Sequence, residues 1–131
     1  MPEHNAAAAR FILHGLDESL ATQILNAASQ PGRTFYAATT APECLALAEL
    51  TQADVVFCKA EPAEYRVLLE DLKRRGLRLP VVVVSRIPEV SEWLDAIEAG
   101  AVDYCAAPFE RRHMSWLIQS ALLASAWPHP A

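Results

Sequence analysis

The chain has 131 residues, 53% of them apolar, which suits one compact domain and is too short for two ordinary ones. Eleven basic and 16 acidic residues leave a net charge of −5, which argues against a non-specific nucleic-acid binder, since such a protein needs a basic face. No apolar run approaches the roughly 18 residues that span a bilayer, and no signal peptide is evident. Three cysteines at irregular spacing favour a reducing, cytoplasmic setting, and without paired cysteine or histidine motifs no metal site is predicted.

Five strand patterns follow one another along the chain, each separated from the next by a helix pattern. The strands at 10–14, 54–58 and 79–85 are continuous apolar runs, which are typical of strands covered on both faces. Weaker patterns predict two further strands, at 34–38 and 102–105.

A helix is predicted after every strand. The second one begins at Thr40, where the glutamate three residues later, Glu43, completes a capping-box pattern. The others are indicated by apolar residues at helical spacing, and the third and fourth are predicted to end at Gly76 and Gly100. In chain order the predicted helices cover 16–28, 40–50, 65–76, 88–100 and 114–122.

This alternation predicts an α/β fold of five βα units, with a doubly wound, parallel, five-stranded sheet in the order 2-1-3-4-5. We assign 10–125 to that domain, 1–9 to an N-terminal tail, and the proline-containing segment 126–131 to a C-terminal tail or the start of a linker. Functional residues of such folds lie at the carboxyl ends of the strands.

Those strand ends carry few chemically active side chains. Asp17 and Glu18 follow the first strand, where two acids most often cap the next helix. Lys59 ends the third strand, either as a solvated lysine or as a cation that fills a pocket at the sheet edge. Ser85 ends the fourth, either to cap the next turn or to bind a group in the cleft. No glycine-rich phosphate loop or G-x-S-x-G turn accompanies these residues, so neither an enzyme nor a cofactor is predicted.

Two cysteines and a histidine also end strands. Cys58 and Cys105 are expected to be small buried apolar residues, the alternative being a reactive thiol for which no activating histidine is obvious. His14 is expected to be a core or surface histidine with its hydrogen bonds satisfied, and not a ligand.

Three stretches together resemble the receiver domain of two-component response regulators, and the resemblance extends over about 10–124. The segments are 79–85 (LPVVVVS), 96–104 (AIEAGAVDY) and 108–109 (PF), where receivers have a Pro-Val run ending in Thr or Ser, an Ala-Leu-x-x-Gly-Ala-x-Asp-Tyr run and Lys-Pro-Phe. The resemblance implies the flavodoxin-like receiver fold, a place in a two-component phosphorelay, and a cis peptide bond between Ala107 and Pro108.

The residues that receivers use for phosphorylation are replaced at most matching positions. The two acids that hold Mg²⁺ in receivers correspond to Gly15 and Leu16, which leaves Asp17 as the one nearby carboxylate. The acceptor aspartate corresponds to Lys59, or to Cys58 after a one-residue slip. Because aspartyl phosphorylation needs a carboxylate nucleophile and a metal held by hard oxygen ligands, we expect neither phosphorylation nor Mg²⁺ binding.

The rest of the receiver pocket is partly kept. The receiver lysine before Pro-Phe corresponds to Ala107, whereas the Ser85 position is retained. One hypothesis for Lys59 is that its ammonium replaces the lost metal and lysine, pairing with Asp17 or Glu61 to hold the pocket in one state.

In receivers the fourth helix, fifth strand and fifth helix form the face that meets partners. Ser85 and Tyr104 match the pair that couples this face to the pocket, although Tyr104 also suits plain packing. Trp93 and Trp116 are candidate anchors, unless each buries an edge against the core. The basic residues at 111–113 are a candidate contact patch or ordinary solvated charge.

The leading interpretation is a pseudo-receiver that signals by protein contact, through a protein partner or a homodimer, alone or fused to an output domain, with no nucleic acid or membrane as partner. The alternatives are a phosphorylatable receiver with a misaligned acceptor, a small-ligand or thiol-redox sensor, and, least favoured, an enzyme of the flavodoxin-like class.

Overall fold

A computed structural model describes the backbone of residues 8–126 and the side chains of residues 8–124. Strands and helices alternate strictly along this part of the chain. The strands are β1 Arg10–His14, β2 Thr34–Ala38, β3 Val55–Lys59, β4 Val81–Ser85 and β5 Asp103–Ala106. The helices are α1 Glu18–Ala28, α2 Ala41–Thr51, α3 Pro62–Arg75, α4 Val90–Ala99 and α5 Arg111–Ala126.

The five strands form one parallel sheet in the order β2-β1-β3-β4-β5, which confirms the predicted topology. The register sets the last residues of neighbouring strands side by side at one edge. His14 lies opposite Cys58, Lys59 opposite Val84, and Ser85 opposite Ala106. The order of the strands therefore gathers their carboxyl ends into a single cleft.

Several predicted boundaries are wrong by a few residues, and local chemistry explains two of them. β4 begins after Pro80, which has no N–H to offer the ladder. α1 begins at Glu18, because Asp17 is its N-cap, so Leu16 lies outside the helix. At the other end of the chain α5 is longer than predicted, since it begins at Arg111 and continues to Ala126.

The predicted tails stay a prediction. Residues 1–7 and 127–131, the second segment including Trp127, lie outside the described part of the chain. In the part that is described, no helix is long and apolar enough to cross a membrane.

Helix ends follow the predicted capping chemistry with one change of partner. The Thr40 hydroxyl accepts the Glu43 N–H at 3.3 Å, as in a capping box. The Glu43 carboxylate, however, accepts the N–H of Thr39 at 2.8 Å, one residue before the expected donor. Gly76 and Gly100 end α3 and α4 at φ values of 69° and 114°, where a side chain is disfavoured.

Two apolar layers cover the sheet, one on each face, so the helices of each layer border the cleft from one side. One layer packs α1 and α5 on one face, around Phe11, Ile24 and Ile118. The other packs α2 and α3 on the opposite face, around Ile12, Leu45 and Leu68. The peptide bond between Ala107 and Pro108, which follows β5, is cis, as the resemblance implied.

Candidate functional site

The carboxyl edge of the sheet brings most of the predicted pocket residues together. A Cβ placed on Gly15 would lie 3.5 Å from the Cβ of Lys59, so the lysine stem passes directly beside the β1–α1 turn. Ala107 donates its N–H to the carbonyl of Ser85 at 2.9 Å, which joins the β5 and β4 ends. Leu16 instead packs against the α1/α5 apolar layer and is turned away from the polar cleft.

Asp17 has the capping role that the sequence predicts. Its carboxylate accepts the N–H of Leu20 at 2.9 Å and closes the first turn of α1. The same carboxylate pairs with the guanidinium of Arg86, which reaches across from the turn after β4. The Leu20 hydrogen bond and the Arg86 contact hold the pKa of Asp17 below its usual value, so this carboxylate is ionised and already engaged.

Lys59 pairs with only one of the two partners considered for it. Its Nζ lies 3.3 Å from the Glu61 carboxylate, and both side chains are about half exposed. Asp17, the other candidate, is held by Arg86. Because Lys59 and Glu61 are two residues apart in the same segment, their pair joins no separate elements, and the ion pair that spans the cleft is Arg86–Asp17.

Ser85 caps the turn that follows β4. Its hydroxyl donates to the carbonyl of Ile87 at 2.9 Å and accepts the Ile87 N–H at 3.3 Å. This local pair of hydrogen bonds is the serine-turn arrangement, which favours the capping interpretation.

Tyr104 on β5 is turned toward α4. Its hydroxyl donates to the Glu92 carboxylate at 2.6 Å and accepts the N–H of Glu89 at 3.4 Å. Burial and the Glu92 hydrogen bond raise the pKa of this phenol, so it stays protonated and holds the first turn of α4.

His14 differs from the prediction of a satisfied histidine. The residue is fully buried, and neither ring nitrogen has a hydrogen-bond partner among the described residues. Its Nε2 lies 3.6 Å from a carboxylate oxygen of Glu64, just beyond hydrogen-bond range. Burial lowers the pKa of His14, against a smaller opposing effect of Glu64 and Glu43, so the imidazole is neutral near pH 7.

The three cysteines are free and buried, as expected of small apolar core residues. Burial raises the pKa of Cys44 and Cys105 to about 12, and raises the pKa of Cys58 further. Because the thiolate is the reactive form, these environments argue against a thiol-redox centre. Within residues 8–126, no group of three or more His, Cys, Asp or Glu side chains could hold a metal ion.

Two residues of the cleft have roles that the sequence analysis missed. Arg86 stands next to Ser85 at a predicted strand end, but its partner Asp17 is 69 positions away in the chain. Glu64 lies in the first turn of α3, where the simplest expectation is a favourable helix-dipole contact. In both cases the partner is supplied by the fold, so no local pattern signals the contact.

The predicted partner face is apolar and exposed at α4. Trp93 is 45% exposed and Trp116, which stacks on His113, is 60% exposed. Further exposed apolar side chains on or just before α4 are Ile87, Val90, Leu94 and Ile97. In the basic patch at 111–113, Arg111 is engaged within the domain. It donates to the carbonyls of Asn26 and Ser29 at the end of α1, which is an intramolecular cap.

No protein-family model matches the sequence, and no match was found among curated proteins. Solved structures do match. A two-component response regulator from Clostridium difficile aligns over 91% of this chain and 99% of its own, with a TM-score of 0.72 and 16% identity. The receiver domain of NtrX from Brucella abortus aligns over 87% of this chain and 98% of its own, with a TM-score of 0.73 and 21% identity.

A longer NtrX chain from Brucella abortus, solved in complex with ADP, gives a TM-score of 0.77 at 24% identity. That alignment covers 90% of this chain but only 27% of the NtrX chain. The sheet order, the alternation of elements and these matches agree: the chain has the fold of the receiver domains of two-component response regulators.

Proposed function

We propose that this chain is a receiver-fold signalling module that acts by protein contact, without aspartate phosphorylation and without Mg²⁺. One observation carries the proposal. At the end of β3, where receivers carry the acceptor carboxylate, stands Lys59, and two carboxylates of the cleft, Asp17 and Glu61, are engaged by cations of the same chain.

The chemistry of phosphoryl transfer supports this proposal. Transfer to a carboxylate needs an ionised nucleophile that is free to attack and a metal that neutralises the phosphoryl oxygens. Asp17 is bound by Arg86 and by the Leu20 N–H, and Glu61 is bound by Lys59.

A misaligned acceptor has little support from the geometry. Asp54, the acid directly before β3, lies at the amino end of that strand, away from the cleft. Its carboxylate accepts the N–H of Arg10 at 2.8 Å, at the start of β1. A one-residue slip of the alignment places Cys58 at the acceptor position, and the Cys58 side chain is fully buried.

The partner face of the proposal consists of α4, β5 and α5, with Trp93, Tyr104 and Trp116 as its named residues. Exposed apolar side chains on α4 and the two exposed tryptophans suit an interface with a protein partner or a second copy. The match to part of the longer NtrX chain is compatible with a receiver-like unit inside a larger regulator, and a stand-alone module fits equally. Three free thiols fit a reducing, cytoplasmic setting.

Two measurements on one sample test the proposal. The protein is incubated with acetyl phosphate and Mg²⁺ and its intact mass is recorded, and amide shifts are followed on adding Mg²⁺ and then beryllofluoride. We expect no phosphoryl adduct and no shifts at the cleft. An adduct that is absent from an Asp17→Asn variant, or shifts that extend from Gly15 and Lys59 to Tyr104, would show a working phosphorylation switch and defeat the proposal.

A further inference from the structure

At the carboxyl end of β1 stands a buried histidine, His14, for which the described residues supply no hydrogen bond. The His14 side chain is 1% exposed, whereas the Glu64 side chain, whose carboxylate oxygen lies 3.6 Å from Nε2, is 37% exposed. A neutral imidazole in this position gives up the hydrogen bonds that water would supply. The contact therefore joins the last residue of β1 to the first turn of α3 at the boundary between core and solvent.

The groups that surround His14 decide how it responds to a proton. α2 contributes Glu43, and α3 contributes Glu64. The thiol of Cys44, also on α2, lies in the same apolar layer as Cys58. β3 contributes the buried thiol of Cys58, opposite His14 in register. β2 brings Ala38, which does not titrate, opposite His14 on the other side.

The cleft also contains a cation, Lys59, whose stem lies beside Gly15, the residue that follows His14. Its ammonium is drawn outward by Glu61. Among the described residues, the carboxylates of Glu64 and Glu43 are therefore the charged groups that favour a proton on His14.

We propose that His14 and Glu64 form a proton-operated switch, in which protonation of the buried imidazole draws the Glu64 carboxylate into an ion pair and rearranges the first turn of α3. The driving force is that an imidazolium cannot remain buried without a partner. A shift of 0.5–1 Å brings Nε2 and Oε1 into the range of a charge-assisted hydrogen bond, an order-of-magnitude displacement set by normal bond lengths of about 2.8 Å. No ligand, metal or covalent step is needed.

The effect on stability has a definite sign. Burial is the dominant influence, so His14 in the folded state has a pKa below the ordinary value of about 6.5. Below about pH 6.5 the unfolded chain therefore binds more protons at this residue than the folded chain does. The stability that the folded state gains from a neutral, buried His14 is fully present above that pH. It is lost as the pH falls through the pKa of His14 in the folded state.

The rearrangement has a route to α4. Tyr65, the residue after Glu64, is fully buried and donates its hydroxyl to Asp95 on α4, and Arg66 pairs with the same carboxylate. A movement of the first turn of α3 therefore acts on both tethers of Asp95. The switch itself does not depend on what α4 binds, so it stands or falls separately from the function proposed above.

The test is an NMR titration of the imidazole resonances of the whole chain from pH 8 to pH 4, a range chosen to bracket about 6.5. A His14→Gln variant identifies the His14 resonance by its loss. Glu64→Gln keeps the size of a partly exposed side chain and removes its charge, and Glu70→Gln removes an exposed charge farther along α3 as the matched control.

We expect His14 to titrate below the ordinary histidine value, with the amides of Gly15 and Glu64 shifting at the same midpoint. Glu64→Gln should lower that midpoint further, because it removes a negative charge beside the imidazolium, and Glu70→Gln should leave it in place. A midpoint at or above about 6.5, or one that Glu64→Gln leaves unchanged, would overturn the switch. The Glu64→Gln measurement stands even if His14→Gln does not fold.

Discussion

Individual side chains set the chemistry of the cleft, and only some of them could be predicted. The capping role of Asp17 follows from an acid placed just before a helix, so a local pattern was enough. The turn-capping hydrogen bonds of Ser85 are local in the same way. The Arg86–Asp17 pair and the His14–Glu64 contact join residues far apart in the chain. Their pairing depends on register and on the directions that the loops give to individual side chains, which patterns along the sequence do not encode.

The thiols offer a direct test of the redox alternative. Because Cys44, Cys58 and Cys105 are buried and their pKa values are raised, we expect none of them to react with a disulfide reagent such as DTNB at pH 7.5 in the folded state. All three thiols of the chain should react in concentrated urea.

The control for this experiment is a Cys58→Ser variant, which removes the one thiol at the end of β3. A single fast-reacting thiol in the folded wild-type protein, absent from that variant, would restore a thiol-based function as the better interpretation. Slow reaction of all three thiols at one common rate would instead report global unfolding, and would agree with the burial of the three cysteines.

At the scale of helices and strands, sequence patterns predicted every element, and proline, glycine and capping residues determined where the boundaries fell. The predictions for 10–14 and 34–38 match β1 and β2 in full. α5 was predicted too short, because its first and last turns carry few apolar residues in the stripe that defined it. Such patterns do not predict the register of the strands or the side-chain contacts between helices.

The contacts that hold α4 to the rest of the domain can be tested directly. Ala96 is its one buried residue, so apolar packing contributes little to holding it. Polar tethers do more: Tyr65 and Arg66 hold Asp95, and Tyr104 holds Glu92. Burial, together with the hydrogen bond to Asp95, raises the pKa of Tyr65 to about 12, which marks this phenol as a protonated donor.

We expect Tyr65→Phe to loosen α4 in particular. The change removes one hydrogen bond from a buried hydroxyl and leaves the ring in place, so the free energy of unfolding should fall by roughly 1 kcal/mol. Amide hydrogen exchange should become faster in α4 and stay nearly unchanged in α1, which packs on the other face of the sheet. Tyr36→Phe on β2 is the control, and equal acceleration of α1 and α4 would show that the tyrosine stabilises the whole domain and not this helix.

At the scale of the whole molecule, the packing of the described residues leaves the apolar surface of α4 exposed. Topology was predictable, because alternating βα units permit few sheet orders, and α4 and α5 pack on opposite faces of the sheet, one before and one after the edge strand β5. The exposure of individual side chains was not predictable. The sequence allowed Trp93 either to pack against the core or to anchor an interface, and the structure leaves it 45% exposed on a helix with one buried residue.

If the face pairs two copies of the chain, light scattering should show the average mass rising toward a dimer as concentration increases. Trp93→Ser should then weaken association by about thirtyfold, since loss of an aromatic anchor typically costs about 2 kcal/mol. Leu50→Ser on α2 is the matched control, because Leu50 is 81% exposed but lies away from the face, and it should leave association unchanged. A monomer at all concentrations would eliminate the homodimer and leave a different protein as the partner, because the exposed apolar side chains of α4 would still lack a cover.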